Sequence, residues 1–425
     1  MKKYLKRLPR EIRDLICLAS DIAGCDNMPV YLVGGFVRDM ILGVKNLDLD
    51  IVVEGDGIRF AEILSQKLNA GLTRHKRFGT ATVTIKKHLK VDITSARKEY
   101  YPAPAHLPEV TYSVLKDDLS RRDFTINAMA ISINQRDFGR FIDCFEGKKD
   151  IGSKKIRVLH DLSFIDDPTR VLRAIRFEQR YGFKIEPKTL KLLKAANKLK
   201  MLEKVQPQRL RDELILILKE SDPLRPLFRI QELTGFNFVD RELSLSKQTQ
   251  AFLKSIQKQI NWFDKQHPKR RKLDNWLIYL IGLLEPLDVN RIKTFCKAFV
   301  FRKGEEIRML AYKKIKHELI NRLSLGKIKP SEVCGILEPL SYEVIILIKA
   351  KFKNKILQKH VEDFFRIYNG TRINVSGDDL RKLGLIPGPY YQKVFHRLLN
   401  AKLDGLVETK KQELELAQRL AARLK

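Results

Sequence analysis

The sequence predicts an α+β protein in which a small mixed sheet near the amino terminus is followed by an all-helical remainder. Two patterns predict this division. Short apolar runs with period-two alternation occur before about residue 134, and most segments after about residue 160 show the spacing of amphipathic helices. At 425 residues the chain exceeds one compact core, so two to four domains are expected.

Helix and strand patterns alternate over the first 150 or so residues. The expected elements are, in chain order, a helix over 5–24, a strand over 29–33, a helix over 57–68, a hairpin of strands 80–85 and 89–93 around residues 86–88, and a strand over 128–133. Residues 97–120 form a proline- and tyrosine-containing stretch that predicts a long loop. Loops of that length are usually functional or disordered.

The rest of the chain predicts helices throughout. They are expected over 168–181, 187–200, 207–220, 223–232, 246–264, 272–284, 288–299, 303–323, 330–337, 340–351, 354–368, 376–384, 387–403 and 408–424. The densest basic run, residues 257–272, is more often a solvated helix end than a binding site.

The charge balance indicates a polyanionic partner. Lys and Arg together number 82 and Asp and Glu 51, which gives a formal charge of +31 and a pI near 9.9. This excess is larger than solubility requires, and it favours nucleic acid over a membrane because no compact basic amphipathic helix stands out. No apolar run reaches membrane-spanning length, so a soluble protein with no membrane partner is expected.

The five cysteines are widely scattered and include no Cys-x-x-Cys pair. Neither a disulfide framework nor a structural zinc site is therefore expected, and a reducing cytoplasm fits this usage. The basic amino terminus is not followed by the apolar core of a signal peptide, which also favours a cytoplasmic location.

The first functional signal is the segment 31–39, YLVGGFVRD, in which an apolar strand ends at Gly34 and Gly35. A glycine pair lets backbone N–H groups approach a phosphate closely, and the helix that follows presents its positive end there. The alternative is an ordinary Gly-Gly turn.

The next strand, residues 47–53, carries Asp48 and Asp50 between apolar residues that begin at Leu47. Period two places both carboxylates on one face. Two adjacent carboxylates shielded from water are costly, and a divalent metal ion is the obvious compensation. The alternative is a strand whose aspartates face water, but the nearby glycine pair favours a phosphate and metal site.

Arg121, Arg122 and Asp123 precede a further apolar strand. These side chains could pair with one another and do nothing more. Alternatively, a guanidinium binds a triphosphate while the carboxylate accepts a hydrogen bond from a ribose hydroxyl. The residues themselves leave both interpretations open.

The segment 166–177, DDPTRVLRAIRF, places Asp167 at a helix cap ahead of a proline. Arg170, Arg173 and Arg176 then recur every three residues and would repel one another unless anions lie between them. Asp167 and Arg170 offer an acceptor and a planar donor fork that match the hydrogen-bonding edge of a base. The alternative is an exposed basic helix with a local Asp–Arg pair.

These motifs together resemble the class II tRNA nucleotidyltransferases, which comprise CCA-adding, A-adding and CC-adding enzymes, and the related bacterial poly(A) polymerases. The resemblance is specific over residues 29–183. Segment 34–39 with the two aspartates looks like the catalytic motif, 121–123 like the ribose-contacting motif, 166–170 like the nucleotide-selecting motif and 210–214 like the neck helix. The selecting motif normally begins with Glu, and Asp166 departs from that pattern.

The resemblance implies a role for each site residue. Asp48 and Asp50 would carry two Mg²⁺ ions, and Asp92 is a possible third carboxylate outside that metal set. The incoming triphosphate would be held by Gly34, Gly35, Arg38 and Arg122, with Asp123 at the ribose. The base would be read by Asp167 and Arg170, while Arg173 and Arg176 bind triphosphate or orient that pair.

The resemblance also implies a domain order and a reaction. A nucleotidyltransferase head over 1–158 would precede a helical neck over 159–222, a body over 223–350 and a tRNA-binding tail over 351–425. The reaction would be template-independent addition of CCA, or only its terminal A, to the tRNA 3′ end from ATP and, for full addition, CTP. A bacterial poly(A) polymerase and a catalytically silent basic RNA-binding scaffold are the alternatives. Full CCA addition, A addition and oligomeric state are not distinguished at this level.

Overall fold

The computed structural model describes residues 1–44, 48–86 and 89–422, without the side chains of Arg77 and Lys86. It divides the chain into two compact units. The first comprises Met1–Glu220 and Arg225–Phe238, and the second comprises Ser221–Leu224 and Val239–Lys425. The four domain limits expected from the sequence stay predictions.

The first unit contains a seven-stranded sheet with the order β3-β4-β5-β2-β1-β8-β9. The pair β2–β5 is parallel and the other neighbours are antiparallel, so the sheet is mixed, as predicted. Among the described residues the strands are β1 (Val30–Val33), β2 (Leu49–Val53), β3 (Gly71–His75), β4 (Thr80–Lys86), β5 (Leu89–Ser95), β6 (Arg97–Tyr100), β7 (Glu109–Tyr112), β8 (Ala130–Ser132), β9 (Phe141–Ile142), β10 (Lys155–Ile156) and β11 (Lys184–Ile185).

Helices make up most of the remaining chain. They are α1 (Lys2–Leu5), α2 (Arg10–Cys25), α3 (Gly34–Leu42), α4 (Gly57–Leu68), α5 (Leu115–Ser120), α6 (Gly147–Gly152), α7 (Ser163–Asp166), α8 (Thr169–Tyr181), α9 (Pro187–Lys198), α10 (Pro207–Leu218), α11 (Leu224–Leu233), α12 (Lys247–Gln266), α13 (Asn275–Leu283), α14 (Val289–Ala298), α15 (Lys303–Lys313), α16 (His317–Leu323), α17 (Pro330–Leu337), α18 (Tyr342–Lys351), α19 (Lys355–Arg366), α20 (Gly377–Lys382), α21 (Pro389–Leu403) and α22 (Lys410–Ala422). None of the helices in the described ranges is both long and apolar enough to cross a bilayer.

Two element predictions are wrong. The stretch 97–120 is not a structureless loop, because it forms the antiparallel pair β6–β7 and the helix α5. These two strands read RKEY and EVTY, with little apolar alternation to mark them. The segment predicted as one helix over 303–323 is two helices, α15 and α16, and neither glycine nor proline marks the break.

Three details lie outside the described residues: Leu47 in the alternating strand, the turn at 87–88, and the last two residues of the predicted helix 408–424.

The apolar strands β1 and β2 lie in the middle of the sheet and fix the position of α3. β1 pairs with β2 on one side and with β8 on the other. α3 begins at Gly34, directly after β1, and ends at Gly43 in the left-handed conformation. Because no linker separates strand from helix, the residues of the first turn of α3 are held at the end of the sheet.

In the second unit, α18 is buried on all sides. Val344, Ile345, Ile346 and Leu347 are each 0% exposed, as expected of a helix that is apolar all round. The helix also buries Glu343, which accepts hydrogen bonds from Arg271 at 2.8 and 2.9 Å. Burial raises the pKa of Glu343, but the bonds from Arg271 and nearby backbone N–H groups outweigh it and lower the pKa to about 2.

We predict that Glu343→Gln lowers the melting temperature at pH 7 by an amount equivalent to about 1–3 kcal/mol, since a buried charged hydrogen bond is lost. The folded-state pKa lies below the ordinary 4.5, so this contribution is present above that pH and disappears as pH falls towards about 2. Thermal melts at pH 7 and pH 3 should therefore show a smaller difference in acid. Glu332→Gln, at an exposed ion pair with Arg322, is the matched control and should change little. An equal loss for both variants would contradict the prediction.

Candidate active site

One cavity of about 910 Å³ in the first unit is lined by residues from the sheet, strand β6 and helices α3, α8 and α10. The predicted site residues that line it are Gly35, Arg38, Asp48, Asp50, Arg122, Asp123, Asp167, Arg170, Arg173 and Arg176. The fold thus brings together residues from four separate motifs. Their individual roles stay predictions.

Gly34, the one predicted site residue outside that lining, has a backbone φ of +66°, which favours glycine. A Cβ atom there would lie 2.5 Å from Nη1 of Arg122 and 3.6 Å from Oδ2 of Asp50. The missing side chain therefore lets the Arg122 guanidinium pack against the start of α3. The predicted contact between glycine N–H groups and phosphate stays a prediction.

Three carboxylates lie together at the cavity. Asp50 of β2 is in register with Asp92 of the parallel neighbour β5, and Asp48 directly precedes β2. Asp92 also accepts a hydrogen bond of 2.6 Å from Oγ1 of Thr82. The sequence identified this third carboxylate but gave no reason to place it beside Asp50, because strand pairing decides that proximity.

The surroundings raise the pKa of the Asp50 carboxyl to about 6. Burial is the largest cause, and the charges of Asp92 and Asp48 act in the same direction. The positive charge of Arg122 partly opposes them. Asp50 thus lies in a locally negative site that a bound cation would relieve.

Within the described ranges, no three His, Cys, Asp or Glu side chains are arranged to hold a metal ion by themselves. A site with fewer protein ligands still suits Mg²⁺, which is commonly bound through one or two carboxylates together with substrate phosphates and water. The donor set and the raised pKa of Asp50 are therefore compatible with a divalent ion that the nucleotide helps to bind.

Arg121 and Arg122 are held by Asp118, a fully buried carboxylate that sequence reasoning missed. Asp118 accepts hydrogen bonds from Nε and Nη2 of Arg121, at 2.9 and 2.6 Å, and from Nη2 of Arg122, at 3.0 Å. Glu99 of β6 also accepts from Nη1 of Arg121, at 2.8 Å. Asp118 precedes the two arginines by three and four residues, a spacing that could have predicted these ion pairs from the sequence.

Asp123 binds protein groups through both of its oxygens. Oδ1 accepts from the Phe124 N–H and from Nδ2 of Asn127, each at 2.8 Å. Oδ2 accepts from Nε and Nη2 of Arg173, at 2.9 and 2.6 Å. Burial raises the pKa of Asp123, but the charge and hydrogen bonds of Arg173 and the bond from Asn127 outweigh it and lower the pKa to about 2. The predicted contact with ribose stays a prediction.

Arg38 is buried between a carboxylate, an amide and two aromatic rings. Its Nε donates to Oδ1 of Asp39 at 2.8 Å, and its Nη1 donates to Oδ1 of Asn127 at 2.6 Å. The guanidinium carbon lies 5.1 Å from the ring centre of Phe177 and 4.9 Å from that of Tyr181. These contacts join α3 to α8. Whether Arg38 also binds a triphosphate stays a prediction.

The side chains of Asp167 and Arg170 bond to different partners, while the Arg170 N–H donates to the Asp167 carbonyl at 3.1 Å. Helix α8 begins at Thr169, one residue later than expected, and Asp167 accepts a hydrogen bond of 3.1 Å from the Thr169 N–H. Arg170 donates from Nη1 to Oγ of Ser163 at 2.7 Å and from Nη2 to the Arg121 carbonyl at 2.8 Å. Asp166 lies apart, with its Oδ2 3.9 Å from Nδ1 of His160.

Arg173 and Arg176 share a carboxylate from α10. Glu213 accepts from Nη1 of Arg173 at 3.0 Å and from Nη2 of Arg176 at 3.4 Å. Glu220 lies 3.7 Å from Nη1 of Arg176. The anions expected between the arginines are thus supplied, at least in part, by the protein. Sequence reasoning assigned neither glutamate to the site, because Glu213 comes from α10 and Glu220 follows the end of that helix.

Comparison with known proteins agrees with this geometry. Residues 30–157 match the family described as the Poly A polymerase head domain, and residues 182–238 match the one described as the probable RNA and SrmB-binding site of polymerase A. The A-adding tRNA nucleotidyltransferase of Halalkalibacterium halodurans is 31% identical over 92% of this chain and 88% of the relative. The chain belongs to the tRNA nucleotidyltransferase family.

Two further members of the family show how far the likeness extends. The A-adding tRNA nucleotidyltransferase of Geobacter sulfurreducens is 39% identical over 98% of this chain, which spans about half (48%) of that relative's length. The CCA-adding enzyme of Thermotoga maritima, solved in complex with tRNA, superposes with a TM-score of 0.75 at 35% identity and covers 100% of this chain and 98% of the enzyme. The predicted fold class and family are confirmed.

We predict that Asp92→Asn lowers the pKa of Asp50 from about 6, because one of the neighbouring negative charges is removed. Carboxyl carbon NMR shifts of metal-free protein labelled at aspartate would report the titration. The raised folded-state pKa means that Asp50 stabilises the fold most below its ordinary value of 3.8 and that this contribution is lost as pH rises through about 6. The control Asp14→Asn, on an exposed part of α2, should leave the titration unchanged. An unchanged pKa of Asp50 in the Asp92→Asn variant would show that the charge of Asp92 does not act on Asp50.

Proposed function

We propose that this protein transfers nucleotides to the 3′ end of tRNA without a template, adding the terminal A of the CCA sequence or the whole CCA. The supporting observation is the single cavity that contains both the carboxylates Asp48 and Asp50 and the motif residues Asp167 and Arg170. The first pair suits phosphoryl chemistry and the second suits recognition of a base. A cavity that contains both pairs can select a nucleotide and catalyse its transfer.

Addition of the terminal A is favoured by the names of the relatives. Those from Geobacter sulfurreducens and Halalkalibacterium halodurans are both called A-adding tRNA nucleotidyltransferases. The solved relative from Thermotoga maritima is called a CCA-adding enzyme, so addition of C before A is the second possibility. ATP is therefore the expected substrate, with CTP required only for full addition.

The reaction is a displacement at the α-phosphorus of the nucleotide. The 3′-hydroxyl oxygen of the tRNA forms the new P–O bond, the bond to pyrophosphate breaks, and the hydroxyl proton is released. The contribution of the protein is position and charge rather than a covalent intermediate. In the proposed complex, Arg122 beside Gly34 binds the triphosphate, Asp123 contacts the ribose, and Asp167 with Arg170 reads the base. Arg38, Arg173 and Arg176 hold this arrangement together and add positive charge.

Polymerase-type nucleotidyltransferases generally use divalent metal ions, and we propose Mg²⁺ on Asp48 and Asp50. When bound, such ions would neutralise phosphate charge and lower the pKa of the attacking hydroxyl. The raised pKa of Asp50 is the property of this chain that fits the proposal.

The expected partner is the acceptor end of tRNA. A formal charge of +31 suits contacts with RNA phosphates. Such contacts give affinity that does not depend on the base sequence of the RNA. A cytoplasmic location and the role of the tail residues in tRNA binding stay predictions.

We predict that Asp48→Asn and Asp50→Asn each lower incorporation by at least about 100-fold, since electrostatic support of the reacting phosphate is lost. The assay offers Mg²⁺ with labelled ATP, labelled CTP or both together to three tRNAs, lacking CCA, ending in CC, and complete. One A added to the CC tRNA with no C added to the shortest tRNA indicates A addition. Three additions to the shortest tRNA with both nucleotides present indicate CCA addition.

Glu54→Gln, at the end of β2 and outside the cavity lining, is the matched control and should keep activity. Long tails on unstructured RNA would instead indicate a poly(A) polymerase. An inactive wild-type protein would support the alternative of a catalytically silent RNA-binding scaffold.

We also predict that Arg170→Ala reduces discrimination between ATP and the wrong nucleotides, because a charged donor at the base is lost. The ratio of kcat/KM for ATP to that for UTP should fall by roughly 10-fold or more, in line with a loss of about 1–3 kcal/mol. Melting curves would check that the variant stays folded. Unchanged discrimination in a folded Arg170→Ala protein would exclude Arg170 from base recognition.

A further inference from the structure

Arg209, near the start of α10, lines the cavity and is joined to the base-reading carboxylate. Its Nη2 donates to Oδ1 of Asp167 at 2.8 Å. The two residues lie 42 positions apart in sequence, so this pair is a product of the tertiary fold. It was not among the site residues expected from the sequence.

The other terminal nitrogen of Arg209, Nη1, is buried and has no hydrogen-bond partner among the described residues. Buried polar atoms nearly always have partners, and an exception needs an explanation. Three other arginine atoms share this condition in the described part of the chain, Nε of Arg97, Arg122 and Arg176, but Nη1 of Arg209 is the one terminal nitrogen in the set. A terminal nitrogen is the part of a guanidinium that reaches furthest towards a ligand.

The Asp167 carboxylate is held in an asymmetric way. Its Oδ1 accepts from the Thr169 N–H at 3.1 Å, from Oγ1 of Thr169 at 2.6 Å and from Nη2 of Arg209 at 2.8 Å. No hydrogen bond to Oδ2 is formed within the described ranges. One oxygen is thus fixed by the protein, and the other is left to accept from a ligand.

Arg170, the expected donor of the motif, already donates to the protein from both terminal nitrogens, although each of these nitrogens carries two N–H groups. Nη1 donates to Ser163 and Nη2 to the backbone carbonyl of Arg121. Arg209 therefore offers a terminal donor beside Asp167 that no described protein group occupies.

We propose that Arg209 is a third nucleotide-selecting residue, which positions Asp167 through Nη2 and donates from Nη1 to the bound nucleotide. This inference rests on the proposed function, because it assumes that a nucleotide enters the cavity. An anionic acceptor fixed in place suits the exocyclic amino group of adenine or cytosine. Uracil and guanine would present a carbonyl oxygen there and be repelled by the carboxylate. Without Arg209, the Asp167 carboxylate can turn away from the base, and this rejection weakens.

The test compares Arg209→Gln and Arg209→Lys with Arg211→Gln, an arginine two positions along the same helix that pairs with Asp212. Dissociation constants for ATP, CTP, UTP and GTP are measured by equilibrium binding without turnover, and kcat/KM is measured on a tRNA that lacks its terminal A. For Arg209→Gln we expect roughly 10- to 100-fold weaker selection of ATP over UTP, the effect of losing a charged hydrogen bond. Arg209→Lys should retain part of the selection, and Arg211→Gln should behave as wild type.

A double-mutant comparison separates the two parts of the proposal. Asp167→Asn is measured alone and together with Arg209→Gln. A further loss of nucleotide affinity in the double variant supports direct donation from Nη1. No further loss would mean that Arg209 acts through Asp167 alone and would overturn the direct contact.

The possible outcomes test the role of Arg209 and the proposed nucleotide transfer to tRNA separately. Wild-type selection in a folded Arg209→Gln or Arg209→Lys protein overturns the inference and leaves the proposed function intact. A wild-type protein that binds ATP selectively but transfers nothing to tRNA overturns the proposed function. In that case, loss of selective binding in Arg209→Gln still supports the inference. Melting temperatures of all variants distinguish loss of selection from loss of fold, and Arg209→Lys keeps the test valid if Arg209→Gln unfolds.

Discussion

The buried ion pair between Asp123 and Arg173 is the interaction on which the cavity depends. It joins the segment that follows α5 to helix α8, with distances of 2.9 and 2.6 Å. Both side chains are largely buried, and each would be costly without its partner. The pKa of Asp123 is held near 2, so the carboxylate stays charged throughout the physiological range. Because α8 is tied here, the residues at its start, Asp167 and Arg170, are held near the carboxylates of the sheet.

Charge balance explains why the other side chains of the cavity are arranged as they are. Several of the arginines are held by carboxylates of the protein: Arg38 by Asp39, Arg121 and Arg122 by Asp118, and Arg176 by Glu213 and Glu220. The carboxylates of Asp48, Asp50 and Asp92 at the end of the sheet instead lie close to one another. There, burial and mutual repulsion raise the pKa of Asp50, so this end of the site favours a cation. In the proposed complex, a nucleotide with its metal ion would supply both negative phosphates for the arginines and positive charge for the aspartates.

Local sequence patterns were enough to locate most helices, because amphipathic spacing and capping residues are local properties. Helix α4 was expected over 57–68 and occupies Gly57–Leu68, with Asp56 as its cap. The β6–β7 pair escaped detection since its strands carry charged side chains and little apolar alternation. Arg97 and Glu99 of β6 pair with each other, and Glu99 also binds Arg121. Such strands are stabilised by tertiary ion pairs that leave no period in the sequence.

The sequence by itself determined which residues could carry the chemistry. The glycine pair, the aspartates Asp48 and Asp50 and the arginine helix were recognisable because their spacing alone gives them a shared face or a shared turn. The tertiary structure decided which charges meet. Arg173 finds Asp123 across 50 positions, Arg209 finds Asp167 across 42, and Asp50 meets Asp92 through strand register. These contacts depend on the packing of separate elements, and Coulomb attraction falls with distance in space, whatever the separation along the chain.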